Sequence, residues 1–235
     1  MSALPQRKQY DLFNETEGYH DITKPGFFSI LASDQNNSKY QRSYKLVEMP
    51  QVISLLDKTR DTWISQAEFT KPNRRVVNLW RLGLCFVDLD TYTIGMTGDP
   101  ETLAQHLVIH CQEEGVPPPS LVVFSGRGLQ AKWLFENAIP RQALPRWNLC
   151  QRVLVDKLAP FGADANAKDA SRVLRLVGAV NTKSGEVARV VQVTEENGQP
   201  VRYGFEYLCE WLLPVARETI EHERQQWAVE KAARA

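Results

Sequence analysis

No run in this chain approaches the roughly 18 apolar residues of a membrane-spanning helix, so the sequence predicts no membrane partner. The opening residues, MSALPQRKQYDLFNETEGYHD, hold no apolar region of the secretory kind. Cysteine is scarce: Cys85, Cys111, Cys150 and Cys209 stand singly among apolar neighbours, with no C-x-x-C pair. They read as reduced core residues, which fits a cytoplasmic location. Net charge is absent as well, with 28 Lys plus Arg against 28 Asp plus Glu. That balance excludes a simple polycationic coat for nucleic acid but leaves room for a local basic groove. There is no internal repeat.

What remains is an ordinary globular composition, long enough at 235 residues to bury a sizeable core. Residues 1–44 are mostly polar and read as an N-terminal arm, partly ordered by Phe27, Phe28, Ile30 and Leu31. MPQVISLLDKT reads as a short helix, DTWISQAEF as a strand, and LWRLGLCFVDLD as a buried strand ending in two acids. Asp99 as N-cap, Pro100 at the first turn and Gly115 past the end frame a helix over about 100–114. LVVFSGRGLQAKWLFE reads as two strands or a strand with a tight turn. PRQALPRWNLCQRVLVDKLAPFG follows as a helix with Leu149, Val153, Leu154 and Leu158 on one side. RVLRLVGAVNTKSG and ARVVQVTEENGQPVRYGF supply further strands, with Asn197-Gly198 as a turn. Residues 206–235 form a charged helical segment, leaving 45–205 as the core. The fold class is α/β (α+β), a sheet flanked by helices.

Three constellations carry chemistry. Asp88 and Asp90, two residues apart on a strand, share one face. Two carboxylates in one small space repel unless a cation lies between them, and Mg²⁺ or Mn²⁺ with substrate phosphates suits such a pair. Ser125, Gly126, Arg127 and Gly128 offer uncovered backbone N–H groups and a guanidinium, an anion cradle, with Gln130 and Lys132 on the polar side of the strand beyond. The plainer alternative is a hairpin whose glycines serve the turn. Asp164 and Asp169 precede a strand carrying Arg172 and Arg175, and Asn181, Lys183 and Ser184 follow it. A third carboxylate and two arginines beside an acid pair are what a metal-bound nucleotide triphosphate requires. His106 and His110 have a zinc-compatible spacing but no third ligand, so they read as polar positions beside an apolar helix face.

The order of these segments, over roughly residues 60–195, resembles the archaeo-eukaryotic primase superfamily, in particular the primase-polymerases of plasmids and mobile elements. Asp88 and Asp90 match that family's D-x-D motif, SGRGLQAKW its Ser- and Gly-rich strand, and Asp164 with Arg172 and Arg175 its third motif. GAVNTKSG matches the tail. The resemblance implies a primase-like catalytic core, an RRM-like mixed sheet flanked by helices with an N-terminal α/β unit. It implies template-directed nucleotidyl transfer with Mg²⁺ or Mn²⁺ held by Asp88, Asp90 and Asp164. The nucleoside triphosphate would meet Ser125, Gly126, Arg127, Gly128, Gln130, Arg172, Arg175, Asn181 and Lys183. A single-stranded DNA template would lie near Lys71, Arg74 and Arg75, with Trp63 or Trp80 either stacking on bases or, the plainer alternative for each, buried in the core, and a helicase or downstream domain is a further implied partner. Asp164 suits the third acid by its distance to the arginine strand, leaving Asp169 to cap or pair.

One departure stands out. Gln130 occupies the place of the family's histidine; it can hydrogen-bond phosphate but carries no charge and is no general acid. A catalytically silent relative that binds nucleotide or DNA is therefore the alternative. A haloacid-dehalogenase-type phosphatase would want Thr where Tyr92 stands. A topoisomerase-primase fold wants a Glu-Gly signature on an earlier strand, and a rolling-circle nickase wants His-x-His; neither is found.

Overall fold

The computed structural model describes residues 12–36 and 38–214. In chain order the elements are α1 (Leu12–Glu17), β1 (Phe27–Ser33), β2 (Lys39–Lys45), α2 (Met49–Leu55), β3 (Thr62–Ser65), β4 (Ala67–Phe69) and β5 (Leu79–Leu89). Then come α3 (Pro100–Glu113), β6 (Leu121–Phe124), β7 (Leu129–Pro140), α4 (Leu144–Lys157), β8 (Val173–Arg175), β9 (Arg189–Val193), β10 (Glu195–Glu196), β11 (Gln199–Pro200) and α5 (Phe205–Leu212).

One sheet of nine strands runs β8-β3-β1-β4-β5-β7-β6-β9, with β2 added on β1. Each of its ladders is antiparallel. The expected α+β sheet with flanking helices is present; the pairing is antiparallel where a mixed sheet was expected, and the parallel contact Phe135–Tyr203 is a single bridge. β10 and β11 form a hairpin at Asn197-Gly198, whose φ values of 52° and 75° are those of a tight left-handed turn.

Of the expected arm, residues 1–11 lie outside the described residues, and residues 27–33 and 39–44 are sheet, not arm. β1 is a sheet strand bonded to β2, β3 and β4, and Phe28, Ile30 and Ala32 are buried. FFSILAS alternates enough to bury one face, and that apolar strand outweighs the polar residues around it. With Leu46, Met49, Ile53, Ile64, Leu176 and Ala179 these residues form a second, smaller core. Residues 215–235, most of the expected C-terminal segment, lie outside the described residues; α5 covers its beginning.

The helix over 100–113 has the expected cap: Asp99 accepts from the Thr102 N–H at 2.9 Å, and Ala104, Leu107 and Cys111 are buried. α4 is rotated from expectation. It buries Trp147, Cys150, Gln151, Leu154 and Val155 and leaves Leu149 exposed. The cause is the neighbouring strand. β4 covers only the start of β5, from Leu79 to Leu82. Beyond it, Trp147 Nε1 donates to the Leu84 carbonyl at 2.9 Å, and the Gln151 amide donates to the Phe86 carbonyl and accepts from its N–H. Buried backbone groups must be paired, and α4 turns its polar tips inward to do so.

Candidate active site

The edge of β5 that α4 protects continues to the acid pair, and there a loop takes over. The Asp90 N–H donates to the Gly162 carbonyl at 2.8 Å, and the Asp164 N–H donates to the Asp88 carbonyl at 2.9 Å. This backbone pairing brings Asp164 beside Asp88 although 76 positions separate them (164 − 88). On the other edge, Asp88 is paired in register with Gln130 of β7, and Gln130 with Val123 of β6.

A cleft of about 390 Å³ opens here. From β5, β6 and β7 it is lined by Asp88, Asp90, Tyr92, Ser125, Arg127 and Gln130. From the opposite half of the sheet come Lys39, Asp61, Trp63, Arg172, Arg175 and Lys183. Asn181 also lines it, so most of the expected nucleotide residues meet in one place.

Asp88 is pushed up to about 7, first by burial and then by the charges of Asp90 and Asp164, against the pull of Arg172 and Arg175. Such a group wants a proton or a cation. Hard oxygen donors under mutual repulsion suit Mg²⁺ or Mn²⁺, so Asp88 and Asp90 fit a divalent ion. The third acid is arranged differently from expectation. Asp164 does not line the cleft, and its Oδ1 accepts from the Asn166 N–H at 2.8 Å. Among the described residues no group of three or more His, Cys, Asp or Glu is gathered for a metal.

The glycines also have another task. A side chain on Gly128 would stand 2.2 Å from the Leu89 carbonyl oxygen, and one on Gly126 (φ 92°) would meet Asn181 Cβ at 2.5 Å. The close approach they permit is that of the protein's own backbone. Ser125 closes the turn by bonding the Gly128 carbonyl, and Asn181 Nδ2 donates to the Ser125 carbonyl at 3.1 Å. Gln130 is buried, faces the cleft, and its Oε1 has no partner among the described residues.

Arg175 is anchored: Nη1 meets Asp61 Oδ1 at 2.5 Å and the Val180 carbonyl at 3.0 Å, and its guanidinium lies 4.9 Å from the Trp63 ring centre. Asp61 also accepts from the Thr182 hydroxyl and N–H. Burial works against its charge, but the Thr182 and Arg175 hydrogen bonds prevail and its carboxyl stays below the ordinary value. Arg172 pairs with Asp169 at 3.0 Å, the pairing role expected of Asp169. Arg127 lies 3.9 Å over the Tyr92 ring, whose hydroxyl is held up by burial and by its bond to Asp90. Lys71 and Arg75 are exposed outside the cleft, while Arg74 donates to Gln41 and to the Ser171 carbonyl. Trp80 packs beside Gly26 and Arg81, away from the cleft. Lys132, expected on the polar side, is fully buried and paired with Glu15 at 2.5 Å.

Sequence reasoning missed Asp61, Tyr92 and Lys39. Asp61 bonds residues 114 and 121 positions away, and no local pattern signals that. Tyr92, two positions after Asp90, was within reach of a closer reading of the motif.

The large antiparallel sheet with helices packed on it is a fold the chain shares with a solved primase-polymerase domain. The AEP domain of the cyanophage S-2L primase-polymerase superposes with a TM-score of 0.56 at 18% identity, covering 82% of this chain and 90% of that one. Primase RepB′ is a looser likeness, with a TM-score of 0.49 at 17% identity over 95% of this chain and 68% of that one. In sequence, the chain is 36% identical over 182 residues to a replication protein of Clostridium perfringens. That match takes in 77% of this chain and 43% of the relative, so the chain spans less than half of the relative's length. No protein-family model matches the chain. Among the described residues no helix is long and apolar enough to cross a membrane.

Proposed function

We propose that the chain is the catalytic core of a primase-polymerase that performs template-directed nucleotidyl transfer in the replication of a plasmid or mobile element. The observation that carries this reading is the cleft itself: two carboxylates on one wall, Arg172, Arg175 and Lys183 on the other, and the orphaned amide oxygen of Gln130 between strands. That is a complement to a triphosphate and its counter-ion. Asp88 and Asp90 would hold Mg²⁺ or Mn²⁺, and Asp164 would join them by turning from its own loop. The ion, when bound, supplies charge neutralisation and a lowered pKa for the attacking 3′-hydroxyl.

The chain's own groups orient and neutralise. Arg172 and Lys183 would meet the β- and γ-phosphates, and Arg175, fixed by Asp61, would stabilise charge that builds as the new O–P bond forms and the bond to pyrophosphate breaks. A sugar hydroxyl or a bound water would complete Gln130. Lys71, Arg74 and Arg75 lie on the template side in this reading, with single-stranded DNA as the template and NTP or dNTP as substrate.

A second reading has two observations in its favour. Asp164 bonds its own loop, and Gln130 lacks the charge of the family's histidine, as befits a nucleotide- or DNA-binding module without catalysis. One experiment separates the two. The protein is incubated with single-stranded DNA, all nucleotides and Mg²⁺ or Mn²⁺, with and without primer, beside the Asp88→Ala/Asp90→Ala double variant. Product on unprimed template that vanishes in the variant marks a primase. Product only with primer marks a polymerase. No product from folded protein leaves the binding module.

A further inference from the structure

Cys150 of α4 and Cys209 of α5 face each other across the helix pair, with their Sγ atoms 3.4 Å apart. The two are 59 positions apart in the chain, so the fold makes this contact. A second contact holds it in register: Arg146, one turn before Cys150, pairs at 2.5 Å with Glu206, one turn before Cys209. Both thiols are fully buried, and neither lines the cleft. They are not equivalent. The hydrogen bond from Cys150 lowers the Cys209 thiol below its ordinary value; burial opposes this and the Arg146 charge adds to it. Cys150, as the donor, is raised. Arg146 Nε is also buried with no partner among the described residues, a donor left over in the same helix interface. Packing alone accounts for buried cysteines as small apolar groups. It does not call for two sulfurs to meet within reach of a guanidinium. Access runs through α5. A helix of eight residues is too short to be stable by itself, and Tyr207 and Trp211 on its outer side are about half exposed. Such an element opens locally at a lower free energy than the strands.

We propose that Cys209 and Cys150 form a peroxide-reactive pair that closes to a disulfide and staples α5 to α4. The proposal is independent of the nucleotidyl-transfer reading. The Cys209 thiolate attacks one oxygen of hydrogen peroxide; the O–O bond breaks, and the hydroxide that leaves takes up the thiol's proton as water. Cys209 is then a sulfenic acid. The Cys150 sulfur attacks the Cys209 sulfur, the S–O bond breaks, and the departing hydroxide leaves with the Cys150 proton as a second water. Two thiols are oxidised to one disulfide, and one peroxide is reduced to two waters. The sulfurs must close from 3.4 Å to about 2.05 Å, a movement of side-chain size. Arg146 favours the thiolate and the sulfenate by its charge.

The test treats the whole chain with hydrogen peroxide, quenches with catalase, unfolds in iodoacetamide and digests without reductant. Mass spectrometry then reads the links. The expected product joins the Cys150 and Cys209 peptides and is two hydrogens lighter than their sum, with Cys85 and Cys111 alkylated. The urea midpoint of the oxidised protein should rise, because a link across 59 positions restricts the unfolded chain, and should return with dithiothreitol. In Cys150→Ala, which lacks the resolving thiol, dimedone should label Cys209; in Cys209→Ala, Cys150 should stay unlabelled. Arg146→Gln should slow the loss of thiols several-fold, and an unchanged rate overturns the role given to Arg146. Where a cysteine variant fails to fold, the wild-type link decides. Four alkylated cysteines after peroxide overturn the proposal. So does a link through Cys85, which lies within electrostatic reach of both sulfurs, a link between two chains, or dimedone labelling of Cys150 in place of Cys209.

Discussion

Asp88 sits where its charge is least welcome, and that has a measurable consequence. Its carboxyl, ordinarily near 3.8, is raised to about 7 by burial and by its acidic neighbours. A raised acid holds its proton more tightly folded than unfolded. Its ionisation therefore subtracts from stability as pH climbs from the ordinary value toward 7, and the whole penalty stands above 7. Without divalent ions, Asp88→Asn should be more stable than the wild type at pH 8 by about 1–3 kcal/mol, and the two should converge at acid pH. Urea unfolding at several pH values reads this directly; a less stable variant at pH 8 would mean that the carboxylate makes a stabilising contact. The same variant should lose nucleotidyl transfer, a case of stability spent on a functional site. Two glycines give a second residue-scale test. Gly128→Ala places a Cβ 2.2 Å from a backbone oxygen, whereas Gly95 (φ 75°) has open space around it. Overpacking against backbone should cost about 3 kcal/mol; the left-handed strain at Gly95→Ala should cost about 1 kcal/mol. Chemical denaturation of the pair distinguishes lack of space from backbone strain. The sequence raised the question of why Gly126 and Gly128 interrupt a strand, but the answer needed Leu89 and Asn181, which only the folded chain brings near.

Among the elements, α1 is held on the sheet by charge. Glu15 of α1 and Lys132 of β7 are both buried and 2.5 Å apart, with Tyr19 adding a hydroxyl and a ring. Lys132→Met leaves Glu15 buried without its partner and should cost about 3–5 kcal/mol, while Lys132→Met combined with Glu15→Leu should recover most of that. A double-mutant cycle in urea measures the coupling; additive losses would show that the two groups act independently. Gln130 and Lys132 share a strand face by alternation, as their spacing required. One ends in the cleft and the other beneath α1, and nothing local distinguishes them. The helix over 100–113 was legible because its cap, proline and apolar repeat are all within the segment. α4 was legible as a helix but not in its rotation, because Trp147 and Gln151 answer to an uncovered edge of β5 that no helical periodicity encodes. Asp88, Asp90, Arg172 and Arg175, which meet at the cleft, stood out in the sequence as charges on apolar strands, whereas Gly126 and Gly128 answer to the backbone of Leu89 and to Asn181, and Asp164 stays on its own loop outside the cleft. Asp61 is the contrast, a single acid whose role is set by Arg175 and Thr182 from the far side of the chain.

At the scale of the molecule, the sheet is two halves that meet at β4. The smaller core lies under β1, β3 and the β8 region, the larger under β5, β6 and β7. Few ladder contacts join them: β1 reaches β4 through one registered pair, Phe27–Phe69. Ligand groups are divided the same way, with the acids on the larger half and Arg172, Arg175 and Lys183 on the smaller. A ligand that touches both halves stabilises each against opening, and the half with less buried apolar surface gains more visible protection because it opens at lower free energy. Hydrogen exchange should therefore slow on adding Mn²⁺ and a nucleoside triphosphate, most strongly in β1, β3 and the turn at residues 181–186, and least in β5 and β7, which open only with the whole domain. Protection confined to β5–β7 would mean that the nucleotide is held by the acid-bearing wall alone, and Arg175 and Lys183 would then have no part in binding it.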